Sequence, residues 1–338
     1  MTEKDFLLQD EAYARLVAWA ERLPHAILLH GPRGVGKLQL AEHFARRMLC
    51  ESRSTDIQPC GRCNCCNWFL AGNHPDFRLV EPESMARTSA SEEGAEEEGG
   101  SGGTKRKPSI EIRIEQIREL NDFVHMGSHR GGRRIALIHP AEDMNVPTAN
   151  ALLKNLEEPP PQVVFVLVSH RPARLLPTIR SRCVQVPVAV PGRARASRWL
   201  ESQGVKDAAS WLAFAGGAPL LAIQFAQSEL GEKLAAWLRA VERNTPDAIE
   251  PGSDREALEP LVDLLQKHAL DRALLGFGQA SKYGGRLMTG PGPKTHPMPI
   301  EWLRYARELG RRRLLARHPL NPRLFAADLL GTYPGVER

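Results

Sequence analysis

The stretch HGPRGVGKLQLAEHFA at residues 30–45 decides the fold. Gly31, Pro32, Arg33, Gly34, Val35, Gly36 and Lys37 have the spacing of a phosphate-binding loop. In such a loop, backbone N–H groups and a lysine cradle phosphates at a helix N-terminus. The apolar run AILLH (26–30) supplies a buried strand before the loop, and a helix begins after it. The hydroxyl that ordinarily follows the lysine is missing. Serine or threonine there holds the magnesium ion bridging the β- and γ-phosphates, and Leu38 cannot coordinate a hard cation. The stretch thus has the form of a nucleotide site without its metal ligand.

Outward from the loop, further short apolar runs lie at FRLV (77–80), RIALIH (134–139), VVFVLVS (163–169) and CVQVPV (183–188). Each reads as a buried strand. Between them, ANALLKNLEEPP (149–160) places Ala149, Leu152, Leu153 and Leu156 on one helical stripe that Pro159 stops. Strands alternating with helices predict an α/β fold with a parallel, three-layer sheet. Residues 84–108, rich in Gly, Ser and Glu, cannot repay their ordering entropy and are expected to be a disordered insertion. After Val188 strand signals cease, and helices punctuated by Gly/Pro loops such as 283–299 predict an all-α remainder.

A chain of 338 residues, 42% apolar, can bury one substantial core and one or two smaller ones. The net charge of +5 permits contact with nucleic acid but is too small for this length to demand it. The N-terminus has no cationic segment followed by an apolar core. No stretch approaches the roughly 18 uninterrupted apolar residues of a membrane span, so a cytoplasmic protein without membrane contact is expected. Five of the six cysteines crowd between Cys50 and Cys66. Thiols in a reducing compartment favour a metal site over disulfides. Cys50, Cys60, Cys63 and Cys66, in the pattern C-x9-C-x2-C-x2-C, can close a tetrahedral structural zinc site. Cys65 could replace Cys63 or Cys66 in that set.

The cysteine knuckle lies between the helix after the loop and the second strand, and HPDFRLV (74–80), ANALLKNLEEPP (149–160) and RPARLLPTIRSRC (171–183) follow it. Together these resemble the clamp-loader AAA+ family of bacterial replication over residues 1 to about 230, and more weakly through HPLNPRLFAADLL (318–330). The resemblance implies an AAA+ core over 1–187 with a zinc knuckle at 50–66, a small helical lid over 188–230 and an all-α collar over 231–338. It also implies membership of a hetero-pentamer with delta and gamma/tau subunits, which opens the sliding β clamp and loads it on primed DNA.

Motor subunits of that family hydrolyse ATP, and this sequence departs from them at several positions. His139 and Pro140 stand where a motor carries the Asp-Glu pair that positions magnesium and polarises water. Pro219 stands where a motor has the arginine that senses the γ-phosphate. Glu142 and Asp143, beyond the strand end, are expected to be ordinary surface acids. Gly31, Gly34, Gly36 and Lys37 retain the groups for weak phosphate or nucleotide binding, because the loop's N–H groups do not depend on Leu38. Alternatively the glycine turn simply joins strand to helix.

The resemblance assigns Arg182, in Ser181-Arg182-Cys183, the role of an arginine finger reaching a neighbour's ATP. Such a group is worth roughly 10³ to 10⁵ in rate in comparable systems. The alternative is a structural ion pair. The expected function is therefore a fixed, non-hydrolysing wall of the loader. Its rivals are an active motor ATPase and a zinc-bearing DNA-binding protein, the latter weakened because Trp68 and Phe69 are expected to pack against the core.

Overall fold

The computed structural model describes residues 6–52, 58–86, 108–128, 132–242, 249, 257–283, 297–313, 315–317 and 320–334. The insertion expected at 84–108 falls outside these residues except at its two ends, as does most of the loop at 283–299. The chain forms two compact units, Met1–Ala189 and Val190–Arg338.

The first unit runs α1 (Asp10–Ala18), β1 (Ala26–His30), α2 (Lys37–Leu49), α3 (Asn64–Leu70), β2 (Phe77–Val80), α4 (Ile114–His125), β3 (Arg134–Ile138), α5 (Val146–Glu157), β4 (Val163–Ser169), α6 (Pro177–Arg182) and β5 (Val184–Pro187). Its five strands form one parallel sheet in the order β2-β3-β4-β1-β5. β3 and β4 are buried on both faces, which is why their sequences are continuous apolar runs instead of alternating ones. Leu28, Ala136, Ile138, Phe165 and Leu167 pack with Ile117, Leu120, Leu152 and Ile179 of α4, α5 and α6. By the two-residue period, Leu29, Leu137 and Val166 point to the opposite face, where α2 lies on β1, β3 and β4. The sheet is thus a middle layer between helices.

The predicted strands are all present. The third ends one residue early at Ile138, and the fifth is trimmed to Val184–Pro187, although the Val188 N–H still bonds the His30 carbonyl at 2.8 Å. In α5, Asn145 caps the first turn by accepting the Thr148 N–H at 3.0 Å, and a proline sits in that turn. Ala149, Leu152 and Leu156 are buried and Leu153 is partly buried against the same core.

The second unit contains α7 (Arg193–Ser202), α8 (Ala208–Phe214), α9 (Pro219–Gln227), α10 (Glu229–Glu242), α11 (Leu258–Gly276), α12 (Pro299–Arg312) and α13 (Pro322–Gly331). Its core gathers Leu261, Leu265, Trp302, Leu309, Leu329 and Tyr333 with Phe214 and Trp237. The Lys267 ammonium lies 4.6 Å from the centre of the Phe214 ring and 2.6 Å from Asp263. Among the described residues no strand occurs here, and no single helix is long and apolar enough to cross a membrane.

Candidate nucleotide loop and metal centre

The loop between β1 and α2 has the backbone of a phosphate cradle. Gly34 and Gly36 take positive φ, 79° and 95°, a conformation that costs an L side chain about 1–2 kcal/mol. Gly31 is required for a different reason: a Cβ there would lie 2.2 Å from the Val188 carbonyl oxygen. Lys37 is buried, 2% exposed, and its Nζ donates to the carbonyls of Gly31 at 2.8 Å and Pro32 at 2.5 Å. Burial pulls its pKa down to about 8, against the charge of Glu142, which pushes it up. The four candidate binding residues are therefore brought together.

Gln9, from the turn before α1, was not visible as a site residue. Its buried side-chain amide donates to the Val35 carbonyl at 2.5 Å and to the Ala189 carbonyl at 3.3 Å, fastening the loop to the chain leaving the sheet. Partners 26 and 180 residues away leave no local signal.

At the ends of β3 and β4 the loop meets imidazoles. His139 and His170 pack edge to face, their centroids 5.2 Å apart. Burial, then the charges of Lys37, His139, Arg33 and Arg171, push the His170 pKa down to about 3, so it is neutral at physiological pH. Burial and the Lys37 and Arg180 charges lower His30 as well.

One expectation is corrected here. Glu142 is not an ordinary surface acid, because the short 3-10 turn Ala141–Asp143 folds it back under the strand ends. Its Oε1 accepts the His170 N–H at 2.9 Å, and its Oε2 is buried without a hydrogen-bond partner. Asp143 is likewise partly buried, its carbonyl accepting the Ile112 N–H at 3.0 Å.

The cysteines form a second centre at the far end of α2. Cys50 caps that helix, Cys63 caps α3, and the ligand atoms of Cys50, Cys60, Cys63 and Cys66 all lie within 4.8 Å of one another. Zinc–sulfur bonds of about 2.3 Å in a tetrahedron require sulfurs about 3.8 Å apart. Cys50–Cys63 and Cys60–Cys66 are separated by 3.9 and 4.0 Å. Backbone N–H groups of Cys60, Cys63 and Cys66 each point at a neighbouring sulfur at 3.4 Å, a pattern that stabilises thiolates. Those from Arg62 and Cys63 bring the Cys60 thiol down to about 6, whereas burial pushes Cys66 up to about 12. The four clustered cysteines can bind a metal such as zinc. Cys65 is outside the quartet, its Sγ turned 3.6 Å from Glu51 Oε1. Trp68 packs against His74 and Phe69 against Phe77.

Arg182 ends α6. Its guanidinium pairs with Glu157 at 2.6 Å and donates to the Thr178 carbonyl at 2.9 Å. Glu157 is 49% exposed, and pairs of this kind are worth roughly 0–1 kcal/mol. A competing anion can therefore draw Arg182 away at little cost.

The sequence profile of the family described as DNA polymerase III, delta subunit, matches residues 9–191, which carry the loop, the cysteine quartet and Arg182. The chain belongs to the DNA polymerase III delta-prime clamp-loader family. It is 40% identical to the DNA polymerase III subunit delta' of Pseudomonas aeruginosa over 223 residues, covering 65% of this chain and 61% of that relative. The corresponding subunit of Yersinia pestis is 34% identical over 213 residues, covering 61% and 56%. The chain thus spans less than two thirds of the length of these two curated relatives. A gamma subunit-related protein of Thermotoga maritima, covered to 98% with 95% of this chain, shares 17% identity at a TM-score of 0.47.

In this delta-prime family chain the loop can present N–H groups and one ammonium to an anion. Leucine, histidine and proline at 38, 139 and 140 offer magnesium no oxygen side chain. Pro219 opens α9 in the second unit and carries no cation for a phosphate.

Proposed function

We propose that this chain is the stator of a DNA polymerase III clamp loader, without ATPase activity of its own and donating Arg182 in trans to a neighbouring motor's ATP. The observation that carries the reading is a formed phosphate loop stripped of metal ligands: Lys37 and the glycines are in place, while Leu38, His139 and Pro140 replace the groups that hold magnesium and activate water. A lightly held, partly exposed Arg182 at the end of α6 supports a trans role, since a guanidinium stabilises charge on a transferring phosphoryl group without needing a site of its own.

The division into core (1–187), lid (188–230) and collar (231–338) belongs to this reading. So do a structural, non-catalytic zinc at Cys50, Cys60, Cys63 and Cys66, and a cytoplasmic location. The partners are delta and gamma/tau subunits, with the β clamp and primed DNA engaged through the assembly. A further relative, 34% identical over 164 residues, is the DNA polymerase III subunit tau of Salmonella typhimurium, which fits an origin shared with motors.

The test is steady-state ATP hydrolysis, stimulated by primed DNA and clamp. It compares the chain alone, the reconstituted pentamer, and a pentamer carrying Arg182→Ala. Silence from the chain alone with loss at one motor site in the mutant pentamer is expected. Turnover by the chain alone would make it a motor, and an unaffected mutant pentamer would remove the finger.

A further inference from the structure

We infer that Glu142 is the residue that holds nucleotide affinity down at this loop, its carboxylate supplying to Lys37 the negative charge that a phosphate would otherwise bring. The inference rests on the reading of the loop as a nucleotide site that has lost its metal. It adds the charged group that opposes the remaining ligand.

Three observations place the carboxylate. The Gly31 N–H donates to the Ser169 carbonyl at 3.3 Å, so the end of β4 holds the start of the loop. The next residue, His170, donates its N–H to Glu142 Oε1 at 2.9 Å, which pins the acid one residue beyond that junction. Glu142 Oε2 is buried and has no hydrogen-bond partner. A carboxylate oxygen in that position is tolerable only beside a positive charge, because burying an unpaired ion costs several kcal/mol. Lys37, whose Nζ donates to the Gly31 carbonyl at that junction, supplies such a charge, alongside those of Arg33 and Arg171 around His170. The Glu142 field works against the desolvation of the Lys37 ammonium.

The same arrangement works against a ligand. Two of the three Lys37 donors are spent on the Gly31 and Pro32 carbonyls. An incoming diphosphate must share the ammonium with Glu142 and accept a like charge within the site. Neutral His170 and His30 add no cation to offset it.

The test is isothermal titration of the full chain with magnesium-free ADP, which needs no Leu38 substitute. Glu142→Gln keeps the acceptor for the His170 N–H and removes only the charge. ADP should bind this variant about tenfold more tightly, the effect of deleting one unit charge several ångströms from a phosphate at an effective dielectric near 20 to 40. Adding Lys37→Ala should abolish the gain. Should the Gln variant fail to fold, Glu142→Ser carries the same expectation. An affinity no higher than the parent's overturns the inference, as does a gain that survives Lys37→Ala. Neither result bears on the trans role of Arg182, which only ATP turnover in the assembly tests.

Discussion

Gly31→Ala should cripple the first unit for a reason of packing alone. The added Cβ would sit 2.2 Å from the Val188 carbonyl oxygen and 3.2 Å from its carbon. Both are backbone, so neither can rotate away, and a normal carbon–oxygen contact requires the two segments to part by about 1 Å. Among the described residues β5 pairs only with β1, in the register Ile27↔Val184 to His30↔Pro187, and Val188 adds its N–H to the His30 carbonyl. Opening that end forfeits one or two hydrogen bonds at about 1 kcal/mol each and loosens buried Val186 and Val188 at about 1 kcal/mol or more each. The sum is about 3–5 kcal/mol. Gly36→Ala is the control, because its Cβ would meet only Gln9 Cγ at 3.9 Å and the cost is the positive φ alone, about 1–2 kcal/mol. Urea unfolding of the full chain, with amide exchange read at Val188, separates the two. A Gly31→Ala protein within about 1 kcal/mol of the parent, or no less stable than the Gly36→Ala protein, refutes the argument.

Other outcomes follow from the same geometry. Arg182→Ala should change stability by no more than about 1 kcal/mol, since its Glu157 partner is half exposed, while slowing one motor site of the assembly by roughly a thousandfold; urea unfolding and pre-steady-state hydrolysis check the two halves. Metal analysis should find one zinc per chain in the parent and in Cys65→Ser, and a loss in Cys63→Ser, whose sulfur lies in the quartet. Gln9→Leu should cost about 1–3 kcal/mol in thermal or urea unfolding, because it strips the buried Val35 carbonyl of its donor. His268, buried against Tyr333 with its pKa pushed down to about 3 by burial and Arg272, is neutral when folded and takes up a proton near pH 6.5 when unfolded. It favours the folded state less as pH falls below 6.5, by about 2 kcal/mol at pH 5. His268→Phe should flatten that part of the stability profile.

The sheet was legible because its evidence is local. β3 and β4 are buried on both faces and therefore spell unbroken apolar runs, and the helix α5 announces itself by its stripe and its capping Asn145. The cysteine quartet was legible for a related reason: short spacings confine four sulfurs to one loop whatever the rest of the chain does. Which cysteine stays out was not legible, since Cys65 and Cys66 differ only in the direction that the first turn of α3 gives them. Glu142 and Gln9 were invisible for the opposite reason. Each acts through one or two hydrogen bonds or a charge set by tertiary placement, and a glutamate four residues past a strand end or a glutamine before the first helix has no pattern to mark it.

These hidden residues explain why a site without metal ligands keeps the signature of one. The loop residues carry packing roles of their own. The structure separates their roles: Gly31 is held by the passage of Val188, Lys37 by its own loop carbonyls and the charge of Glu142, and Val35 by Gln9. Some of these contacts close the loop on itself and others tie it to the turn before α1 or to the segment leaving the sheet, and none involves a phosphate. The loop signature is therefore part of the packing of the first unit, and the residues that reveal the fold do not by themselves argue for catalysis.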